Sequence, residues 1–266
     1  MTAFICVTCG TQFTEGADPP ARCPICEDER QWVRWDGQAW TTPAELAASH
    51  RLEMRDDAGV LGCGISPCFA IGQRALLAET PHGNVLWDCT SMVSDEAVAE
   101  IDRRGGLSAI AISHPHFYAA MVDWSRAFGG VPIHIHEAER QWVMRPDPAV
   151  RFWNGERLAL NASLTLVRCG GHFEGGQVLH WKRPGGNALL AGDIVQVTPT
   201  RRWVSFMYSY PNHIPLNARK VRGIEAALAG LDFDDIYGGW WDNNVIGDGR
   251  RVFERSVARY LAAITD

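Results

Sequence analysis

Leu107-Ser108-Ala109-Ile110-Ala111-Ile112-Ser113-His114-Pro115-His116 is the stretch on which the fold class turns. Its apolar part has the length and residue types of a buried strand. It runs into two histidines at i and i+2, which on extended backbone face the same side. Pro115 favours that geometry, because its ring disfavours the helical region for His114. Two imidazoles then converge at the C-terminal end of a strand, where one metal ion can use both. An H-x-H pair alone also occurs in ordinary polar loops, so its weight depends on what else the chain brings to that strand end.

Two further segments add weight. Gly170-Gly171-His172-Phe173-Glu174-Gly175-Gly176 puts a histidine in a glycine-rich turn after the predicted strand Leu164 to Cys169. Glycine there allows backbone to approach a ligand or an ion closely. Ala188-Leu189-Leu190-Ala191-Gly192-Asp193 ends an apolar strand in a carboxylate, and a near-buried carboxylate needs a cationic or hydrogen-bonding partner. His114, His116, His172 and Asp193 make a plausible first-row metal set for a single ion.

Around these lies an alternating pattern. Strands are predicted at Phe69 to Glu79, Asn84 to Asp88, Val131 to His136, Gln177 to Lys182 and Asp235 to Tyr237. Helices are predicted from Asp95 (capped by Ser94) to Gly105, over Phe117 to Phe128, Leu216 to Ala229 and Gly249 to Ile264, with a short one from Glu137. Strands in runs and then alternating with helices imply sheet layers with helices outside. Thr42-Pro43-Ala44-Glu45 reads as a capping box opening a helix, which puts a domain boundary near residue 40, dividing 1–40 from 41–266.

The first segment carries its own signal. Cys6-x2-Cys9 and Cys23-x2-Cys26 are separated by 13 residues. Each pair can turn both sulfurs to one point, and two pairs make the tetrahedral S4 cage favoured by zinc or iron. So short a module cannot build a stable core alone, so a bound ion would supply folding energy. Trp32, Trp35 and Trp40 are expected to dock it on the main body. The pattern resembles rubredoxins and rubredoxin-like zinc ribbons over about the first 35 residues. Glu27, where rubredoxins usually carry glycine, leans the reading to zinc, with iron open at either site.

Composition excludes little more. A chain of 266 residues, 46% hydrophobic, can bury a core without disulfides. Its net charge of −6 weighs against nucleic-acid binding, and no segment is apolar for long enough to span a bilayer. The start lacks a basic, apolar leader, so a cytoplasmic protein is expected, whose eight cysteines are thiols or ligands. Cys63 and Cys68 are spaced too widely for a redox C-x2-C and either pair or are inert.

The ordered set H-x-H, G-G-H and G-D, preceded by Gly83-Asn84-Val85-Leu86-Trp87-Asp88, resembles the metallo-β-lactamase superfamily over roughly residues 65 to 260. The resemblance implies an α/β (α+β), four-layer αββα sandwich, here behind a small rubredoxin-like zinc-ribbon module. It implies His114, His116 and His172 as ligands of a first ion, with Asp193 as the bridging carboxylate. The family's Asp and His after H-x-H are replaced by Tyr118 and Ala119, and Gly238-Gly239-Trp240-Trp241 stands where a late histidine is usual. One ion is therefore expected in the main domain, not two. Asp193 is then a ligand or a general base. Tyr118 either donates a hydrogen bond to an oxyanion or fills the vacated volume. The loop Phe206 to His213 is expected to wall a cleft, with Tyr210, His213 and Trp241 as candidate substrate contacts; His134 and His136 are read as structural. The reading that follows is a mononuclear zinc hydrolase, with one zinc in the ribbon and one in the main domain, acting on an ester, thioester, lactone or amide of a small molecule. An iron oxidoreductase using the ribbon for electron transfer, and a non-catalytic binding protein, are the alternatives. Substrate and oligomeric state are not encoded legibly.

Overall fold

Strands buried on both faces make the centre of the molecule. The computed structural model describes residues 1–265. A seven-stranded sheet runs in chain order through Arg51–Asp57, Val60–Ser66, Arg74–Ala78, Val85–Trp87, Ala109–Ala111, Ile133–His136 and Val150–Trp153. Its first four strands pair antiparallel, and from Val85–Trp87 onward the pairing is parallel. A six-stranded sheet takes Arg157–Ala159, Leu164–Arg168, Gln177–Trp181, Ala188–Gly192, Asp235–Gly238 and Asn244–Val245. It is antiparallel except where Ala188–Gly192 meets Asp235–Gly238.

The period of two along each strand sorts the layers. Leu76, Val85, Trp87, Ala109 and Ala111 face Leu164, Leu166, Leu179, Ala188 and Leu190 between the sheets. Their neighbours Leu77, Leu86 and Ile110 face outward onto Ala97 and Ile101 of the helix Asp95–Arg103 and Val122 of the helix Met121–Ala127. Val178, Leu189 and Ile236 face outward onto Val221 and Ile224 of the helix Ala218–Ala227 and Phe253 and Val257 of the helix Gly249–Thr265. Apolar area leaves water on both sides of each sheet, and the order helix, sheet, sheet, helix is the αββα sandwich expected. Among the described residues no helix is long and apolar enough to cross a membrane.

Several expectations need correction. Phe69 to Gln73 is loop, and the strand begins at Arg74. The helix expected from Phe117 starts only at Met121, after a 3-10 turn over Pro115–Phe117 and a positive φ of 44° at Ala119. The edge hairpin Arg51–Asp57 and Val60–Ser66 went unforeseen, because five of the outer strand's seven residues are charged and only Leu52 and Met54 alternate toward the core. Trp32 and Trp35 do not dock the ribbon: they are exposed, Trp35 fully. Only Trp40 packs, edge-on against Phe13 with ring centroids 4.8 Å apart. The ribbon is seated instead by Trp142 and Met144 on its cysteine cluster, by Ile5 against Phe69 and Met92, and by polar contacts. Ser91 Oγ donates to Gly10 O at 2.7 Å, Gln12 N donates to Ala119 O at 3.0 Å, and Gln12 and Arg145 both bond Asp123 at 2.6 Å. The ribbon's strand Ile5–Cys6 pairs with Trp40–Thr41, and Thr42 then caps the helix Pro43–Ser49 through the expected capping box.

Candidate metal centre

Three strand ends deliver the main cluster. The strand Ala109–Ala111 hands on to Ser113 and His114, and His114 holds extended backbone (φ −171°, ψ 176°) before the Pro115 turn. Gln177 seats this segment: its backbone N–H donates to Ser113 O at 3.0 Å and its Nε2 to Ile112 O at 2.7 Å. The turn Gly170 to Gly176 supplies His172. Gly171 (φ +85°) lies so near Ile224 that a Cβ would come within 2.8 Å of its Cδ1, so only glycine fits. Asp193 follows the strand Ala188–Gly192.

One ligand atom from each of His114, His116, His172 and Asp193 lies within 4.8 Å of the others. All four residues are buried, between 1% and 3% exposed. His114 Nε2 and Asp193 Oδ1 stand 3.1 Å apart, yet neither finds a hydrogen-bond partner; two buried lone-pair atoms aim at a common point. His116 Nδ1 and His172 Nε2 are 3.4 Å apart. The outer nitrogens are tied: His114 Nδ1 to Ser113 Oγ at 3.0 Å, and His172 Nδ1 to Met207 O at 3.1 Å, which fixes the ring that faces inward. Burial holds the three imidazoles neutral, His172 pushed down to about 4, with Arg30 adding to the effect. Burial and the nearby Asp88 push the Asp193 carboxyl up to about 8, and burial pushes Asp88 to about 7. Neutral imidazoles beside a carboxyl that resists ionisation are what desolvation produces around a cation's place. Donor set, spacing and unpaired atoms all fit one first-row ion.

The ribbon holds the second cluster. The Sγ atoms of Cys6, Cys9, Cys23 and Cys26 also lie within 4.8 Å of one another, with Cys6 and Cys26 3.5 Å apart and Cys9 and Cys23 3.7 Å apart. Neighbouring thiols push Cys6 below the ordinary thiol range and Cys9 and Cys26 above it, as expected of four thiols crowded on one point. Cys63, Cys68, Cys89 and Cys169 are free thiols, so Cys63 and Cys68 do not pair.

The remaining candidates scatter. Tyr210 reaches the centre: its ring is 5.5 Å from that of His172, and its hydroxyl donates to Asp193 O at 3.0 Å. Tyr118 is buried, but it lines a small cavity under the ribbon with Thr11, Gln12 and Arg145, and its hydroxyl has no partner. His213 is exposed in its loop. Trp241 lies over Gly62 and Gly64, with the Arg55 guanidinium 4.3 Å from its ring, on the edge hairpin and not on the cluster. Trp240 packs on Phe117, which packs in turn on His114. His136 accepts from Ala138 N within its own turn.

Arg30 is the residue that sequence reasoning missed. Its Nη1 donates to His172 O at 3.1 Å and its guanidinium lies 3.8 Å from the Phe173 ring centroid. Nothing in its local sequence distinguishes it from other ribbon charges; only the docking of the ribbon brings it there.

The family described as "Metallo-beta-lactamase superfamily" matches residues 70–240. The "Uncharacterized protein YmaE" of Bacillus subtilis (strain 168) is 43% identical over 99% of this chain and 97% of its own length, ribbon included. Among solved structures, VMB-1 is similar with a TM-score of 0.60 at 12% identity, covering 81% of this chain and 99% of that one. The metallo-beta-lactamase SMB-1 is similar with a TM-score of 0.51 at 17% identity, covering 79% and 95%. At such identities the likeness is one of fold. Sandwich, ligand order along the chain and family match coincide: this chain belongs to the metallo-beta-lactamase superfamily.

Proposed function

We propose that the protein is a mononuclear metal-dependent hydrolase, with zinc as the ion, acting on an ester, thioester, lactone or amide of a small molecule. The observation that carries this reading is the set of four buried ligand atoms within 4.8 Å, two of them without any partner in the fold. Membership of a superfamily rich in metal hydrolases supports it. His114, His116, His172 and Asp193 would hold the ion. Among the described residues no further His, Cys, Asp or Glu joins the group, which supports one ion and not two. Such an ion, when bound, polarises a carbonyl and lowers the pKa of water toward about 7.

The chain's own contribution is holding, orienting and drying. Ser113 Oγ and Met207 O fix the outward nitrogens of His114 and His172, so the inward ones stay available as lone-pair donors. Tyr210 holds the Asp193 backbone and so the direction of its carboxylate. That carboxylate, where it is not a ligand, would accept a proton from water. Phe173, Tyr210 and Phe117 exclude bulk solvent, which strengthens each electrostatic contact.

Elemental analysis of the purified chain tests the reading. Two zinc ions per chain are expected, one for each cluster. His116→Ala should lose one of them and lose turnover on a panel of esters, thioesters and lactones. Iron in place of zinc, or wild-type inactivity across the panel, would refute the zinc hydrolase.

A further inference from the structure

The tripeptide Asp28–Arg30, one residue beyond the last ribbon cysteine, reaches the main centre. Asp28 pins Arg30: its Oδ1 accepts from Arg30 N at 3.0 Å and Nε at 2.6 Å, and its Oδ2 from Nη2 at 2.8 Å. That leaves Arg30 Nη1 aimed at His172 O, with the guanidinium over Phe173 and 5.5 Å from the Trp142 ring centroid. Glu29, between them, binds the other wall. Its carboxylate accepts from Tyr208 Oη at 2.7 Å, and its backbone carbonyl accepts from Asn212 Nδ2 at 2.8 Å and from Ser209 Oγ. Three consecutive ribbon residues therefore hold both the turn that carries His172 and the loop that carries Tyr210. The four ligand residues beneath are 1% to 3% exposed.

This strap is anchored on a module whose order depends on its cysteines. The ribbon's buried apolar cluster is Cys6, Cys9, Phe13, Cys23, Ile25 and Cys26, four of them the sulfur donors themselves. Besides these the cluster has only Trp40 from the ribbon's edge and Trp142 and Met144 from the main body packed against it, so an ion at the cysteines would supply much of the ordering free energy.

We propose that the cysteine site and the His/Asp centre are coupled. Loading of the ribbon seats Asp28–Arg30 against the turn of His172 and the loop of Tyr210, with Arg30 as the positioning residue for His172, and emptying the ribbon loosens both. This rests on the reading that both clusters hold an ion. Coupling of this kind is reciprocal: a centre that holds its own ligand also favours the seated ribbon.

Hydrogen exchange followed by mass spectrometry and extraction of zinc by a chelating dye test this on the full chain. In Arg30→Ala, which keeps all four cysteines, the peptide over residues 170–176 should exchange about tenfold faster, the factor worth one hydrogen bond to a charged group, and 207–212, held by Glu29, should change less. Zinc should leave the His/Asp centre faster by a similar factor, with the ribbon's zinc retained. The double variant Cys23→Ser/Cys26→Ser should show at least the same loosening of both peptides. Exchange of 170–176 within about twofold of wild type in Arg30→Ala overturns the coupling; if the double variant fails to fold, Arg30→Ala alone decides. Exchange is read without turnover, so an inactive enzyme with a loosened strap would sink the hydrolase and leave the coupling standing.

Discussion

Gly192→Ala should damage the His/Asp centre without touching a ligand. Gly192 has φ +55°, and a Cβ there would stand 2.7 Å from Ser113 Oγ, 3.0 Å from Ser113 Cβ and 3.5 Å from Asp88 Oδ2. The first two distances are too short to keep, and neither group lies at the free end of a long side chain. The left-handed backbone costs alanine about 1–2 kcal/mol, and pushing Ser113 aside costs a further ~1–3 kcal/mol as overpacking. Together these give roughly 2–5 kcal/mol, or about 4–20 °C in Tm for a chain of this size. Ser113 Oγ lies 3.0 Å from His114 Nδ1, and Asp193 is the next residue, so displacement also misaims two ligands. Loss of an orienting contact of this kind costs about 10–100-fold in metal affinity. Gly230→Ala is the control: Gly230 has φ +73° with nothing within 4 Å of its added Cβ, so only the backbone cost applies. Urea unfolding followed by tryptophan fluorescence gives the stability difference, and competition with a zinc-binding dye gives the affinity. Should Gly192→Ala prove no less stable than Gly230→Ala, with zinc affinity unchanged, the account of how Ser113 supports the centre is wrong.

Two further outcomes are expected. Arg74 is fully buried, pairs with Asp57 at 2.7 Å and donates to Gly238 O and Asn244 Oδ1, so it ties the edge hairpin to the segment closing on Phe117. Arg74→Met should leave Asp57 an unpaired buried charge and lower unfolding free energy by about 3–5 kcal/mol; a loss under about 1 kcal/mol in urea titration would contradict this. Burial pushes the thiols of Cys63 and Cys169 up to about 12, and burial with the nearby Asp88 raises Cys89 as well, which favours the neutral, unreactive form at pH 8. Iodoacetamide on the native protein at pH 8 should therefore modify exposed Cys68 first, with peptide mapping as the readout; rapid labelling of Cys63 would show that the edge hairpin opens readily.

Much of the architecture was legible because its physics is local. Ala188 to Gly192 and Ala109 to Ile112 are apolar runs short enough to be strands, and Ser94 and Thr42 announce their helices by side-chain caps. Elements failed to announce themselves where charged residues diluted the pattern. Arg51–Asp57 is a strand because Val60–Ser66 pairs with it along seven positions, not because its own residues demand it. The helix after His116 starts late because Ala119 is locked in a turn whose carbonyl serves Gln12 of the ribbon.

For the candidate site the division is sharper. Spacing alone named both donor sets, since C-x2-C and H-x-H place donors on one side of a short backbone whatever surrounds them. Tyr118, His213 and Trp241 had only position in the chain to recommend them, and packing carried each elsewhere: under the ribbon, into solvent, and onto the glycines of the edge hairpin. Arg30 lies 142 positions before His172, and that meeting exists only once the ribbon is seated. Donor identity is written in neighbouring residues. Which charges stand over the donors, and how far they are sealed from water, depends on contacts between distant segments, which only the folded chain creates.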